Sequence, residues 1–111
     1  MDDEFYFLIE KLKDSKKIII VEGLKDKRAL TIFGLKNIIT LKKPLYAVVE
    51  EAASKGKDAA ILTDLDRQGK LLYSKLNSGL QSNGVRVDNQ LRNFLFRKTK
   101  IRQIEGLRNY V

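Results

Sequence analysis

The sequence predicts an α/β fold, with a mostly parallel, four-stranded sheet between helices. Short, β-branched apolar runs recur along the chain, and amphipathic stretches of about 10–13 residues separate them. A connection of that length returns the chain so that the next strand lies parallel to the last. At 111 residues the chain is long enough for one domain with a two- or three-layer core.

The elements follow in order. Phe5, Leu8, Ile9 and Leu12 recur at helical spacing behind Asp2 and Asp3, so a first helix begins acidic and ends among lysines, in accord with its dipole. Ile18 to Val21 is apolar and β-branched throughout, the mark of a strand buried on both faces. The stretch LKDKRALTIF predicts a helix with Ala29, Leu30 and Phe33 inward and Gly34 at its end. NIITL is the second strand. Pro44 suits the first turn of the helix PLYAVVEEAASKG, which stops at Gly56. DAAILTD, from Asp58 to Asp64, reads as the third strand, and KLLYSKLNSGLQSNG as a helix with Leu72, Leu76 and Leu80 in line. VRV is a short fourth strand, and Asp88 caps a helix carrying Leu91, Phe94 and Leu95 on one face. Residues 1–111 thus read as a single domain. Its core spans about 15–90, a helix precedes it, and a basic helical segment over 88–111 follows, whose last stretch, KTKIRQIEGLRNYV, is only weakly periodic.

Composition narrows the chemistry. There is no cysteine and no histidine, which removes disulfides, thiol nucleophiles, histidine bases and zinc sites of the Cys/His kind. Carboxylates, lysines, hydroxyls or a hard cation remain. No segment approaches the ~18–20 apolar residues of a membrane span, and the acidic start, Met1-Asp2-Asp3-Glu4, is unlike a signal peptide. A cytoplasmic protein without a membrane partner is expected. The net charge of +8 is uneven: residues 86–111 hold seven Lys and Arg against two Asp and Glu. Such a bias suits a polyanion, because lysine and arginine displace counterions from phosphates.

Open parallel sheets bind ligands at the carboxyl ends of their strands. Strand one ends at Glu22-Gly23 and strand three at Asp64-Leu65-Asp66, so three carboxylates converge if those strands are neighbours. Alternate residues of a strand share a face, which sends Asp64 and Asp66 to the same side. Mg²⁺ takes hard oxygen ligands at about 2.0–2.1 Å and keeps phosphate oxygens in its shell. Mn²⁺ also suits such a site. Gly23 and Gly69 would let backbone approach a phosphate, and Arg67 and Lys70 would offset its charge. Two of the acids also have structural roles open to them, Asp66 as a helix cap and Asp26 as an early-turn residue favoured by the dipole.

The stretches IIIVEGLKDKRAL and AILTDLDRQGK, about 30 residues apart, resemble the Toprim domain shared by topoisomerases, bacterial primases, recombination-repair proteins, OLD-family nucleases and ribonuclease M5. The likeness covers about residues 15–90 and is nearest to small stand-alone Toprim proteins related to the ribonuclease M5 N-terminal domain. It implies a three-layer α/β/α, Rossmann-like fold. Glu22 matches the family's general acid or base, and Asp64 and Asp66 match its Mg²⁺-holding pair. Gly23 and Asp26 match its Glu-Gly-x-x-Asp pattern, which would put Asp26 with Gly23 among the phosphate-binding residues, and Gly69 and Lys70 continue its second motif. The nucleophilic tyrosine domain of topoisomerases and the zinc and helicase-binding parts of primases have no counterpart here.

The function expected is therefore Mg²⁺-dependent phosphodiester transfer on RNA or DNA, of ribonuclease M5-like type. Glu22 would also share the ion, and the basic C-terminal residues Arg92, Arg97, Lys98, Lys100 and Arg102 would grip the nucleic-acid backbone. A protein partner would add to that grip. The alternative is a non-catalytic nucleic-acid-binding or ribosome-associated module that keeps the same pocket. A phosphoacceptor receiver domain fits less well, because it needs an acidic pair after strand one, where this chain has Glu22 alone.

Overall fold

Ile18–Val21 (β1), Ile38–Thr40 (β2), Asp58–Ile61 (β3) and Arg86–Asp88 (β4) form one sheet, parallel throughout, in the order β2-β1-β3-β4. The computed structural model describes residues 3–110. Met1, Asp2 and Val111 lie outside the described residues, and with them the Asp2 expected to lead the first helix. Among the described residues, α1 (Asp3–Ser15) precedes the sheet, α2 (Leu24–Ile32), α3 (Leu45–Lys55) and α4 (Arg67–Ser82) fill the three connections, and α5 (Gln90–Lys98) follows β4. A 3-10 helix over Ile104–Asn109 gives structure to the weakly periodic C-terminal stretch.

The three layers follow from strand alternation. Ile19 and Val21 face one side with Ala60 and Leu62, under Phe5, Ile9 and Leu12 of α1, Leu30 of α2 and Phe94 and Leu95 of α5. Ile18 and Ile20 face the other with Ala59 and Ile61, under Val48, Val49 and Ala52 of α3 and Leu76 and Leu80 of α4. Every residue of β1 is buried, as expected of a strand covered on both faces. Among the described residues, no helix is long and apolar enough to cross a membrane.

Several boundaries differ from the sequence reading, each for a local reason. Pro44 stands at the N-cap of α3 with extended ψ, one residue before the helix. Asn89, not Asp88, occupies the N-cap position of α5; the Asp88 carboxylate still accepts the Gln90 amide at 3.0 Å and also pairs with Lys17 at 2.9 Å. The fourth strand lies one residue later than VRV, because Val85 is taken into the α3–α4 core just before the chain begins to pair. Gly34 does end α2, at φ +84°, with its amide bonded to the Thr31 carbonyl.

The largest departure is at the C-terminus. Ile104 and Leu107 are fully buried in the same cluster as α1 and α5, and the 3-10 helix packs against α2. The core therefore extends well past residue 90. Ile104→Ala should cost ~2–5 kcal/mol of global stability, the usual range for truncating a buried aliphatic side chain. Urea unfolding followed by circular dichroism checks this; an unchanged midpoint would mean that the segment is an appendage.

Candidate metal centre

The chain leaves β1 at Val21 and β3 at Ile61, and these strands are neighbours, so the residues beyond them meet at one end of the sheet. Ligand oxygens of Glu22, Asp64 and Asp66 all lie within 4.8 Å of one another. The convergence expected from the sequence is present, but its geometric reason is different. The third strand stops at Ile61, three residues short of Asp64. Leu62 still donates its amide to the Ile20 carbonyl at 2.7 Å, and then the chain turns. Asp64 and Asp66 are thus loop and cap residues, and strand alternation does not align them.

Backbone amides align them instead. Glu22 Oε2 accepts the amide of Asp64 at 2.7 Å, a bond that ties the end of β1 to the loop after β3. Asp64 Oδ1 accepts the amide of Ile104 at 2.8 Å, from the start of the 3-10 helix. Asp66 is the N-cap of α4, and its Oδ1 accepts the amide of Gly69 at 2.8 Å. Each carboxylate has one oxygen oriented in this way, while the other takes part in none of the described hydrogen bonds. Among the described residues, none of the three forms an ion pair with a lysine or arginine.

The electrostatics reflect that crowding. Burial pushes the Asp64 carboxyl up to about 6, against the favourable Ile104 amide, and the charges of Glu22, Asp26 and Asp66 raise it further. Glu22 is raised as well, first by burial, then by Asp66 and Asp26, with the Asp64 amide opposing. Like charges held this close without a cationic partner are the donor set that a hard divalent ion neutralises. The residues fit Mg²⁺ or Mn²⁺: three carboxylates, with room left for non-protein oxygens in the shell.

The remaining predicted residues separate into groups. Gly23 is the N-cap of α2 in extended conformation, with open space beside it. Asp26 sits three residues into that helix and accepts the Gly23 amide at 3.0 Å; it is buried, so it caps the helix and does not reach a phosphate. Gly69 was expected to let a phosphate approach, but it is itself buried. A Cβ there would collide with the Asp64 backbone carbonyl, so the close approach is internal to the loop. Thr63 Oγ donates to the Gly69 carbonyl at 2.8 Å and closes the same turn. Arg67 and Lys70 are exposed on the first turn of α4, beside Asp66. Arg97 and Lys98 are exposed too, but they line a groove between α1 and α5 with Phe7 and Lys11, and the acidic cluster is not part of it.

Arg92 overturns its expectation. It is 8 % exposed and stacks on the Tyr73 ring at 4.4 Å. Its Nε donates to the Thr63 carbonyl at 3.2 Å and its Nη2 to the Asp64 carbonyl at 2.9 Å. It is a brace for the acidic loop, not a grip on an external polyanion. The sequence reading also missed Ile104 as a holder of Asp64. A backbone donor can come from any residue, so composition carries no signal for it.

Two outcomes follow. Gly69→Ala should cost ~1–3 kcal/mol by overpacking against Asp64, read as a lowered urea midpoint. Asp64 has a folded pKa above its ordinary 3.8, so the folded state holds its proton more tightly than the unfolded chain. Its contribution to stability is present at low pH and is lost as pH rises from about 4 through about 6. Asp64→Asn should therefore be more stable than the wild type at neutral pH in chelator, by on the order of 1 kcal/mol. The gain should vanish near pH 4, and urea unfolding at both pH values measures it.

No family model matches the chain. A protein of Methanocaldococcus jannaschii named as a UPF0292 protein is 33% identical over 120 residues, covering 99% of this chain and 94% of that one. A UPF0292 protein of Pyrococcus abyssi is 40% identical over 108 residues, covering 95% of this chain and 82% of its own length. Among solved structures, a protein from Aquifex aeolicus superposes with a TM-score of 0.83 at 35% identity, over 95% of this chain and 97% of that one. The same three-layer fold is therefore found in an experimental structure. With identity of this order across nearly its whole length, the chain belongs to the UPF0292 family.

Proposed function

We propose that this protein is a divalent-cation-dependent phosphodiesterase acting on RNA or DNA, a nuclease of the Toprim, ribonuclease M5-like kind. The observation that carries the reading is the cluster of Glu22, Asp64 and Asp66, with oxygens within 4.8 Å and, among the described residues, no cationic side chain paired to them. Carboxylates forced together in this way at a sheet's carboxyl edge suit an ion and a phosphate better than they suit the fold.

Bound Mg²⁺, or Mn²⁺ in its place, supplies positive charge that stabilises a phosphoryl group in transfer. Asp64 and Asp66 hold the ion from the loop and the helix cap. Glu22 reaches in from β1, and its raised pKa brings it nearer the pH at which a carboxyl both takes and returns a proton. Arg67 and Lys70, exposed on the first turn of α4, meet the phosphates flanking the reacting one. The net charge of +8 draws a polyanion to the surface. Such an enzyme works in the cytoplasm, and a protein partner would extend a small substrate-binding surface.

With Mg²⁺ or Mn²⁺, the wild type should cleave RNA or DNA. Asp64→Asn, Asp66→Asn and Glu22→Gln should each lower the rate ~100-fold or more, the scale of a lost acid–base or charge-stabilising group. Binding is checked without turnover: either cation should raise the melting temperature of the wild type and leave that of Asp64→Asn unmoved. Cation-dependent stabilisation with no cleavage of structured or single-stranded substrates would replace the enzyme by a metal-bridged binding module.

A further inference from the structure

Phe96 on α5 is 44% exposed, and two cations lie over its ring. Lys70 Nζ stands 4.7 Å from the ring centroid and the Arg102 guanidinium carbon 5.2 Å from it. Both are tied to the acidic loop. The Lys70 amide donates to the Asp66 carbonyl at 3.0 Å, and the amide of Leu65, between the two aspartates, donates to the Arg102 carbonyl at 2.7 Å. Arg102 Nη1 also donates to the Thr99 and Ile101 carbonyls at 3.1 and 2.8 Å, which fixes the plane of its guanidinium. Among the described residues, no carboxylate pairs with either cation. Two like charges held against one exposed ring repel each other, and an anion that reaches both relieves that repulsion.

We propose that Lys70, Phe96 and Arg102 form a binding site for one unpaired nucleotide beside the phosphate held at the acidic cluster. The base stacks on the Phe96 ring or on the Arg102 guanidinium laid over it, and the two cations meet its phosphate. An exposed ring can stack only on a base whose own faces are free, so the site selects single-stranded or splayed nucleotides over continuous duplex. This specificity rests on the phosphodiesterase reading for its place beside the reacting phosphate. The stacking itself does not depend on turnover.

The chain contains no tryptophan, so Phe96→Trp installs a single fluorophore at the site. Its emission should be quenched by short single strands of RNA or DNA, and not by blunt duplexes or by inorganic phosphate. In anisotropy titrations at low salt, Phe96→Ala should weaken single-strand binding about 10-fold or more, with duplex binding unchanged. Comparing RNA with DNA strands shows which sugar the site prefers. Single-strand affinity equal to wild type in Phe96→Ala, or no quenching in Phe96→Trp, overturns the proposal, as does equal loss on duplex. Parallel cleavage assays with the wild type and Asp64→Asn separate the two readings. If neither protein cleaves while the Phe96 effects persist, the nucleotide site stands and the catalytic assignment falls.

Discussion

Backbone amides, not cationic side chains, hold the three carboxylates together, and the rest of the site depends on that choice. Glu22, Asp64 and Asp66 each give one oxygen to an amide from a different part of the chain: the loop after β3, the C-terminal 3-10 helix and the first turn of α4. An amide orients a carboxylate without neutralising it, so the negative charge stays available to a ligand. The consequence is a costly set of charges: burial first, and then the neighbouring acids, raises the pKa values of Glu22 and Asp64. Strong packing elsewhere must offset it. The two core clusters supply that packing, one on each face of the sheet.

Topology decides where this happens. In the order β2-β1-β3-β4, the chain leaves β1 toward one edge of the sheet and leaves β3 toward the other. The two connections therefore diverge between the central strands and open a crevice at their carboxyl ends, the usual ligand position of an open parallel sheet. Glu22 lies on one side of that crevice, and Asp64 and Asp66 lie on the other. The Asp64 amide bridges it by donating to Glu22 Oε2. The expected convergence required β1 and β3 to be neighbours, and they are paired from Ile18↔Ala59 to Ile20↔Ile61.

What could be read from the sequence was whatever repeats with a period. The run Ile18–Val21 and the inward faces of α1 and α5 carry their apolar residues at strand or helix spacing and lie where expected, as do Leu76 and Leu80 of α4, whereas Leu72, expected in line with them, is only half-buried. The acidic residues were legible because Asp-x-Asp and Glu-Gly follow apolar runs. Contacts without a period were hidden. The apolar stretch before Asp64 reads as continuous strand, although pairing ends at Ile61, because leaving a ladder costs no change in residue type. Ile104 and Leu107 sit in a basic, short-period segment, so their burial left too little pattern to recognise. Asp66 had both a metal reading and a cap reading, and one oxygen of the same side chain does take the cap bond.

Arg92 shows why a basic residue near an acidic site need not be a substrate contact. Its guanidinium bonds to the Thr63 and Asp64 carbonyls, and its charge still acts on the cluster through space, favouring ionised Glu22. A direct ion pair would have relieved the repulsion more fully, but it would have filled the carboxylate oxygens that a divalent ion needs. Burial lowers the arginine's own pKa, first through desolvation, while Tyr73, Glu22 and Asp64 act in the opposite sense. An arginine can bear this cost where a lysine would shed its proton, since its ordinary pKa lies so far above neutrality. The buried charge thus steadies the loop and tempers the crowding of three acids without occupying their free oxygens.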